Sequence, residues 1–161
     1  MKRSLLSLAV VAIALVIAGS TASGDMSKKV IAAFKGQILI TDHELAMSGN
    51  DKETIAEFKK SRLKEIQGEP NSEEVQAWTF YYSAFLNKTG ATELKLEFYA
   101  GDKYVADQRL IDVDAKDPVL VGQISINEDD GPAKGKQYTL KLVAVKGSKE
   151  TVVATTPLTL K

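Results

Sequence analysis

Cysteine is absent from the 161-residue chain, and histidine occurs once, as His43. Without a thiol there is no disulfide scaffold, thiolate zinc site, iron–sulfur cluster or cysteine nucleophile. With a single imidazole there is no multi-histidine metal centre either. Charge of one sign is also missing: 21 Lys and Arg face 21 Asp and Glu. The basic excess with which nucleic-acid binders displace counterions is therefore not available, and no nucleic-acid partner is expected. No internal repeat or low-complexity stretch is visible. What remains is 44 % hydrophobic and 26 % charged, long enough for one domain with a buried core.

The N-terminus is unlike the rest. Met1-Lys2-Arg3 is basic, and residues 5–18 are apolar except for Ser7. Small residues follow at 19–24, with Ser20 and Ala22 in the small-x-small spacing of a signal-peptidase site. The apolar run falls short of the ~20 residues that span a bilayer comfortably. Residues 1–22 thus read as a signal peptide cleaved after Ala22, leaving no membrane span. Ile17-Ala18-Gly19 is followed by Ser20 and not by cysteine, so lipoprotein anchoring is excluded. Without Lys2 and Arg3 the chain carries 19 basic and 21 acidic residues, a formal charge of −2. Cysteine-free export points to the bacterial periplasm or the extracellular space.

Two unequal parts follow. In residues 23–73, Val30 to Phe34 and Gln37 to Ile40 read as one long strand or two short ones. Thr41-Asp42-His43-Glu44 fits a capping box for a short helix. Asn50 or Asp51 caps a longer helix in which Ile55, Ala56, Phe58, Leu63 and Ile66 share one face, with Lys59 and Arg62 at its rim. Gly68 and Pro70 stop it. Residues 74–161 read as six strands. Trp78, Phe80, Tyr82, Ala84 and Leu86 alternate with Thr79, Tyr81, Ser83 and Phe85, and Leu94, Leu96 and Phe98 alternate with Glu93, Lys95 and Glu97. Further runs at 103–111, 119–126, 137–145 and 151–160 are separated by turn signals.

Charge selects a register for one hairpin. A three-residue loop at Ala100-Gly101-Asp102 sets Lys95 opposite Asp107 and Glu93 opposite Arg109, whereas a longer loop sets Glu97 against Asp107. Pro157 requires that its strand lie at an edge or carry a bulge. The segment Gly135-Lys136-Gln137-Tyr138-Thr139-Leu140-Lys141-Leu142 resembles the strand entry of immunoglobulin-like sandwiches. That resemblance implies a tyrosine hydroxyl tying down the preceding corner. The expected fold is mainly β: an antiparallel immunoglobulin-like β-sandwich with an N-terminal strand–helix element packed on it, residues 23–161 forming one unit.

Candidate sites are sparse. Asp112, Asp114 and Asp117 lie in one loop, and Glu128, Asp129 and Asp130 in another, the spacing of oxygen-ligand calcium sites. Lys116 competes in the first loop, and the plainer reading of both is a solvated acidic turn. The strand between them holds the loops roughly 25 Å apart, so they cannot share an ion. His43 in a capping turn reads as a surface histidine, and no glycine-flanked nucleophilic serine accompanies it. No catalytic residue is assigned. Tyr81 and Phe85 form the second apolar face of an aromatic strand, either a binding platform or a seat for the helix.

These readings describe an exported, non-enzymatic module that binds a protein or a cell-surface polymer, with no cofactor. A calcium-assisted or carbohydrate-binding module is the alternative, and a hydrolase using a carboxylate pair is the weaker one. N-terminal sequencing of the exported chain is expected to begin at Ser23; recovery of Met1 or Lys2 would replace cleavage by a retained anchor.

Overall fold

The structure is a computed structural model that describes residues 26–161. The leader read at residues 1–22 lies outside the described residues. Two sheets share one core, with two short helices on the outer face of the first sheet. The helices are α1 (Lys28–Phe34) and α2 (Asp51–Ser61). In the first sheet, β1 (Ile38–Thr41) and the short β3 (Glu69–Pro70) pair with one side of β4 (Gln76–Phe85), and β7 (Val119–Asn127) pairs with the other. The second sheet runs β2 (Glu65–Ile66), β9 (Lys149–Leu160), β8 (Lys136–Lys146), β5 (Glu93–Ala100), β6 (Lys103–Leu110). All pairs are antiparallel except β2 with β9. A parallel bridge from Gln37 to Thr155 joins the sheets along one side, and no barrel closes. Among the described residues no helix is long and apolar enough to cross a membrane.

Alternation builds the shared core. Trp78, Phe80, Tyr82 and Ala84 of β4 meet Leu94, Leu96 and Phe98 of β5, Leu140 and Leu142 of β8, and Leu158 and Leu160 of β9. The odd-numbered face of β4 ends in Phe85, which packs beneath both helices. Its ring lies 5.1 Å from Phe34 of α1 and 6.4 Å from Phe58 of α2, and those two rings are 5.8 Å apart. Leu39, Val119, Val30 and Leu45 complete this second cluster.

The N-terminal elements depart from the sequence reading. Residues 30–34 form a helix and not a strand, because Ser27 caps it (Val30 N donates to Ser27 Oγ at 3.2 Å) and Val30 and Phe34, four apart, share its buried face. Periodicity cannot separate helix from strand in so short an apolar run. Gly36, at φ 78°, then turns the chain into β1. No helix follows Thr41; its hydroxyl donates instead to His43 O at 2.6 Å. The second helix stops at Ser61, short of the expected stop at Gly68. There the backbone takes up partners outside the helix: Leu63 N donates to Ile40 O, and Glu65 pairs with Thr159. Arg62, just past the helix, donates to Gln37 Oε1 at 3.2 Å and Thr156 Oγ1 at 3.0 Å.

The β5–β6 hairpin also differs. Ala100 pairs with Lys103 across a two-residue turn at Gly101-Asp102, and a bulge between Phe98 and Tyr99 resets the register. The extra residue keeps Leu94, Leu96 and Phe98 facing inward despite the short turn. Lys95 therefore lies opposite Arg109, and Glu97 opposite Asp107. Side-chain partners relieve the like-charge pair: Glu97 accepts from Lys95 Nζ at 2.8 Å and Tyr99 Oη at 2.9 Å, while Asp107 accepts from Tyr104 Oη. Glu93 still reaches Arg109, diagonally, at 2.8 Å.

Pro157 sits where its missing N–H costs nothing. Thr155 and Thr159 send their N–H groups away from β8, to Gly36 O and Lys64 O. Pro157, between them, has the same orientation, so the β8–β9 ladder loses no bond. Tyr138 closes the preceding corner, its hydroxyl accepting from Ala133 N at 2.7 Å. Tyr138→Phe, which removes this bond from the exposed corner residue Ala133, is expected to lower stability by about 0.5–1.5 kcal/mol in urea titrations; an unchanged midpoint would mean the corner holds without it.

Candidate functional site

The two acidic loops are committed to their own backbones. Asp114 Oδ1 accepts from Lys116 N at 2.9 Å, and Asp112 occupies a left-handed turn at φ 58°. Asn127 and Asp130 form a reciprocal cap on the 3-10 turn Glu128–Asp130, and Glu128 Oε1 accepts from Lys134 N at 3.1 Å. Asp117 and Asp129 make no side-chain hydrogen bond among the described residues, in which no three Asp, Glu or His side chains converge as an ion would require. His43 forms an exposed pair with its neighbour, Nδ1 lying 2.5 Å from Asp42 Oδ1. The hydrogen bond from His43 holds the Asp42 carboxyl below the usual carboxylate range.

The aromatic strand is divided. Phe85 is fully buried beneath α1 and α2, so at that position the helical layer covers the second face of β4. Tyr81, four residues back on the same face, remains half-buried. It lines a cleft of about 230 Å³ with Glu44, Leu45, Ser83, Val121 and Gln123. No residue of either helix reaches that cleft. Its floor is the outer face of β4 and β7, and the segment after β1 supplies the wall. Glu44 is the one charged side chain among the described residues that line it.

Beside the cleft runs a free strand edge. Leu86 N donates to Pro118 O, whereas Phe85 N donates to Gln37 O. Even-numbered residues of β4 thus turn their backbone groups toward β7, and odd-numbered ones toward β1. In β7 the even residues answer β4, so Val119, Val121, Gln123 and Ser125 direct their N–H and C=O groups outward. Among the described residues these groups have no partner. Asn127, next in that row, has its N–H capped by Asp130 Oδ2 at 3.0 Å, which closes the row at one end.

The two open edges are unequal. Strand β6 carries Lys103, Asp107 and Arg109 and pairs across the bulge, devices that discourage strand addition. Strand β7 has nine residues without a charge, a proline or a bulge. It also contains Gly122, where a Cβ would come within 2.9 Å of the Tyr82 ring and hydroxyl. The tyrosine ring lies over the glycine and supplies the packing that a side chain would give. Nothing in the local sequence separates β7 from an interior strand; its uncharged run was visible, and its place at the edge was not.

No protein-family model matches the chain, and no curated protein or solved structure is significantly similar to it.

Burial pushes the Tyr82 phenol up to about 12. The ionised form is the one disfavoured, so this contribution to stability is complete below the unfolded value near 10 and is lost as pH rises toward 12. Unfolding free energy is expected to fall by about 2–3 kcal/mol over that window on this account. Tyr82→Phe should flatten the alkaline limb, while Tyr104, raised to about 12 by its hydrogen bond to Asp107, titrates in both proteins. Equal alkaline slopes in the two proteins would remove Tyr82 as the cause.

Proposed function

We propose that this chain is an exported, non-enzymatic module of immunoglobulin-like class that binds another protein by accepting an extended segment along β7. The observation that carries the reading is the outward row of backbone groups at Val119, Val121, Gln123 and Ser125. An extended polypeptide offers the complementary row at the same spacing, and strand addition is the mode by which such an edge is satisfied. A surface polymer without amides lacks alternating donors and acceptors at that spacing, which favours a protein partner.

The neighbouring cleft fits the same reading. At about 230 Å³ it is smaller than the ~300–1,000 Å³ usual for small-molecule sites. It suits a side chain projecting from an added strand. The leader-like residues 1–22 support export, and the Tyr138 corner with two sheets of mostly antiparallel strands supports the immunoglobulin-like class.

A photo-crosslinking residue placed at Gln123 tests the proposal against the same group at Lys141, on the outer face of the second sheet. Adducts with another protein are expected from position 123 and not from 141, and Val121→Pro should abolish them. Proline there removes an outward N–H while leaving the β4 ladder intact. Equal adducts from both positions, or adducts indifferent to Val121→Pro, would count against strand addition.

A further inference from the structure

The cleft beside β7 has a composition that selects among side chains. Leu45 and Val121 offer aliphatic surface, Tyr81 an aromatic ring, and Glu44 an exposed carboxylate. Glu44 forms no ion pair among the described residues. A strand laid on β7 stands about 4.8 Å from it. A residue opposite Val121 or Gln123 on the outer face therefore starts one strand-width from a floor that extends back to Tyr81. Only a long side chain crosses that distance.

Resting on the strand-addition reading, we infer that the added segment carries a lysine or arginine whose stem lies on Leu45 and Val121 and whose charged head meets Glu44 and the Tyr81 ring. The three contacts are of different kinds. Apolar surface takes the methylene stem, which basic side chains bury while keeping the charge outside. The carboxylate supplies charge complementarity, and the tyrosine face attracts the cation. A shorter apolar side chain leaves the Glu44 wall unmatched, and an acidic one is repelled by it.

Two peptides of sequence Thr-Val-Thr-X-Thr-Val-Thr, with blocked ends and X either lysine or norleucine, separate the possibilities when titrated into the full chain by NMR. The lysine peptide is expected to shift the amides of Val119, Val121, Gln123 and Ser125, and to bind about fivefold more tightly than the norleucine peptide, the size of one partly exposed charge pair. Glu44→Gln should remove most of the lysine peptide's advantage, leaving what the Tyr81 ring supplies, and leave the norleucine peptide unchanged. Val121→Pro, with Gln123→Pro as a second edge variant and thermal melts to confirm folding, should abolish both. If the two peptides bind equally, or Glu44→Gln changes nothing while the proline variants still abolish binding, the basic side chain is overturned and strand addition stands. If neither peptide shifts the edge amides, or the proline variants bind as the parent does, strand addition itself is overturned. Concentration-dependent pairing of the chain through β7, lost in Val121→Pro, would make a second copy the occupant and overturn the peptide.

Discussion

Phe85 and Trp78 lie on opposite faces of one strand, and both are fully buried. Few strands in an antiparallel sheet are covered on both sides; most leave one face to water. Strand β4 is covered because the inner face meets the second sheet while the outer face, at its Phe85 end, lies under α1 and α2. It is also hydrogen-bonded along both flanks, to β7 on one and to β1 and β3 on the other. The helices exist as a layer because Phe85, Leu39 and Val119 present an apolar patch too large to leave wet. Where that patch ends, at Tyr81, the layer ends too, and the cleft begins.

The outer face of the second sheet solves a different problem. Glu97 is only 5 % exposed, and a carboxylate so placed needs partners. Lys95 and Tyr99 supply them, and Lys95 is itself shared with Glu150 at 2.8 Å. Lys141 stands 3.7 Å over the Tyr99 ring, whose edge meets Tyr104. The face is a mesh of alternating charges and phenols, with little reason to attract a strand or an apolar surface. The contrast with β7 is chemical: one edge of the molecule is guarded by charge, and the other presents bare amides.

Legibility in the sequence followed the length of each pattern. Alternation was enough for the inward faces of β4 and β5, while turn signals alone bounded β8 and β9, where a register shift buries the adjacent Val153 and Ala154. The seven residues of α1 offered no period to read, and its apolar run served a helix as well as a strand. Charge complementarity misjudged the β5–β6 hairpin because a bulge changed the count, and hydroxyl donors from Tyr99 and Tyr104 made the like-charge pair tolerable. At the candidate site, Tyr81 and Phe85 shared one pattern and met different fates, since the reach of the helices over the sheet is not written in β4. The edge status of β7 depended on strand order, a non-local property that turn chemistry does not encode.

The last strand is also the one to which the rest is fastened. Strand β9 pairs with β8 on one flank and with β2 and Gln37 on the other, and Lys161 O accepts from Gly68 N and from the Trp78 indole at 3.0 Å. A chain delivered N-terminus first, whether by a ribosome or through a translocation pore, therefore holds Trp78, Ile66 and Leu142 without their final neighbours until residues 149–161 arrive. Partial closure is of little use to it, because the seam between the sheets is made by residues 155–161. Closure of the core thus waits on pairings of long sequence separation, which a chain makes late and all together.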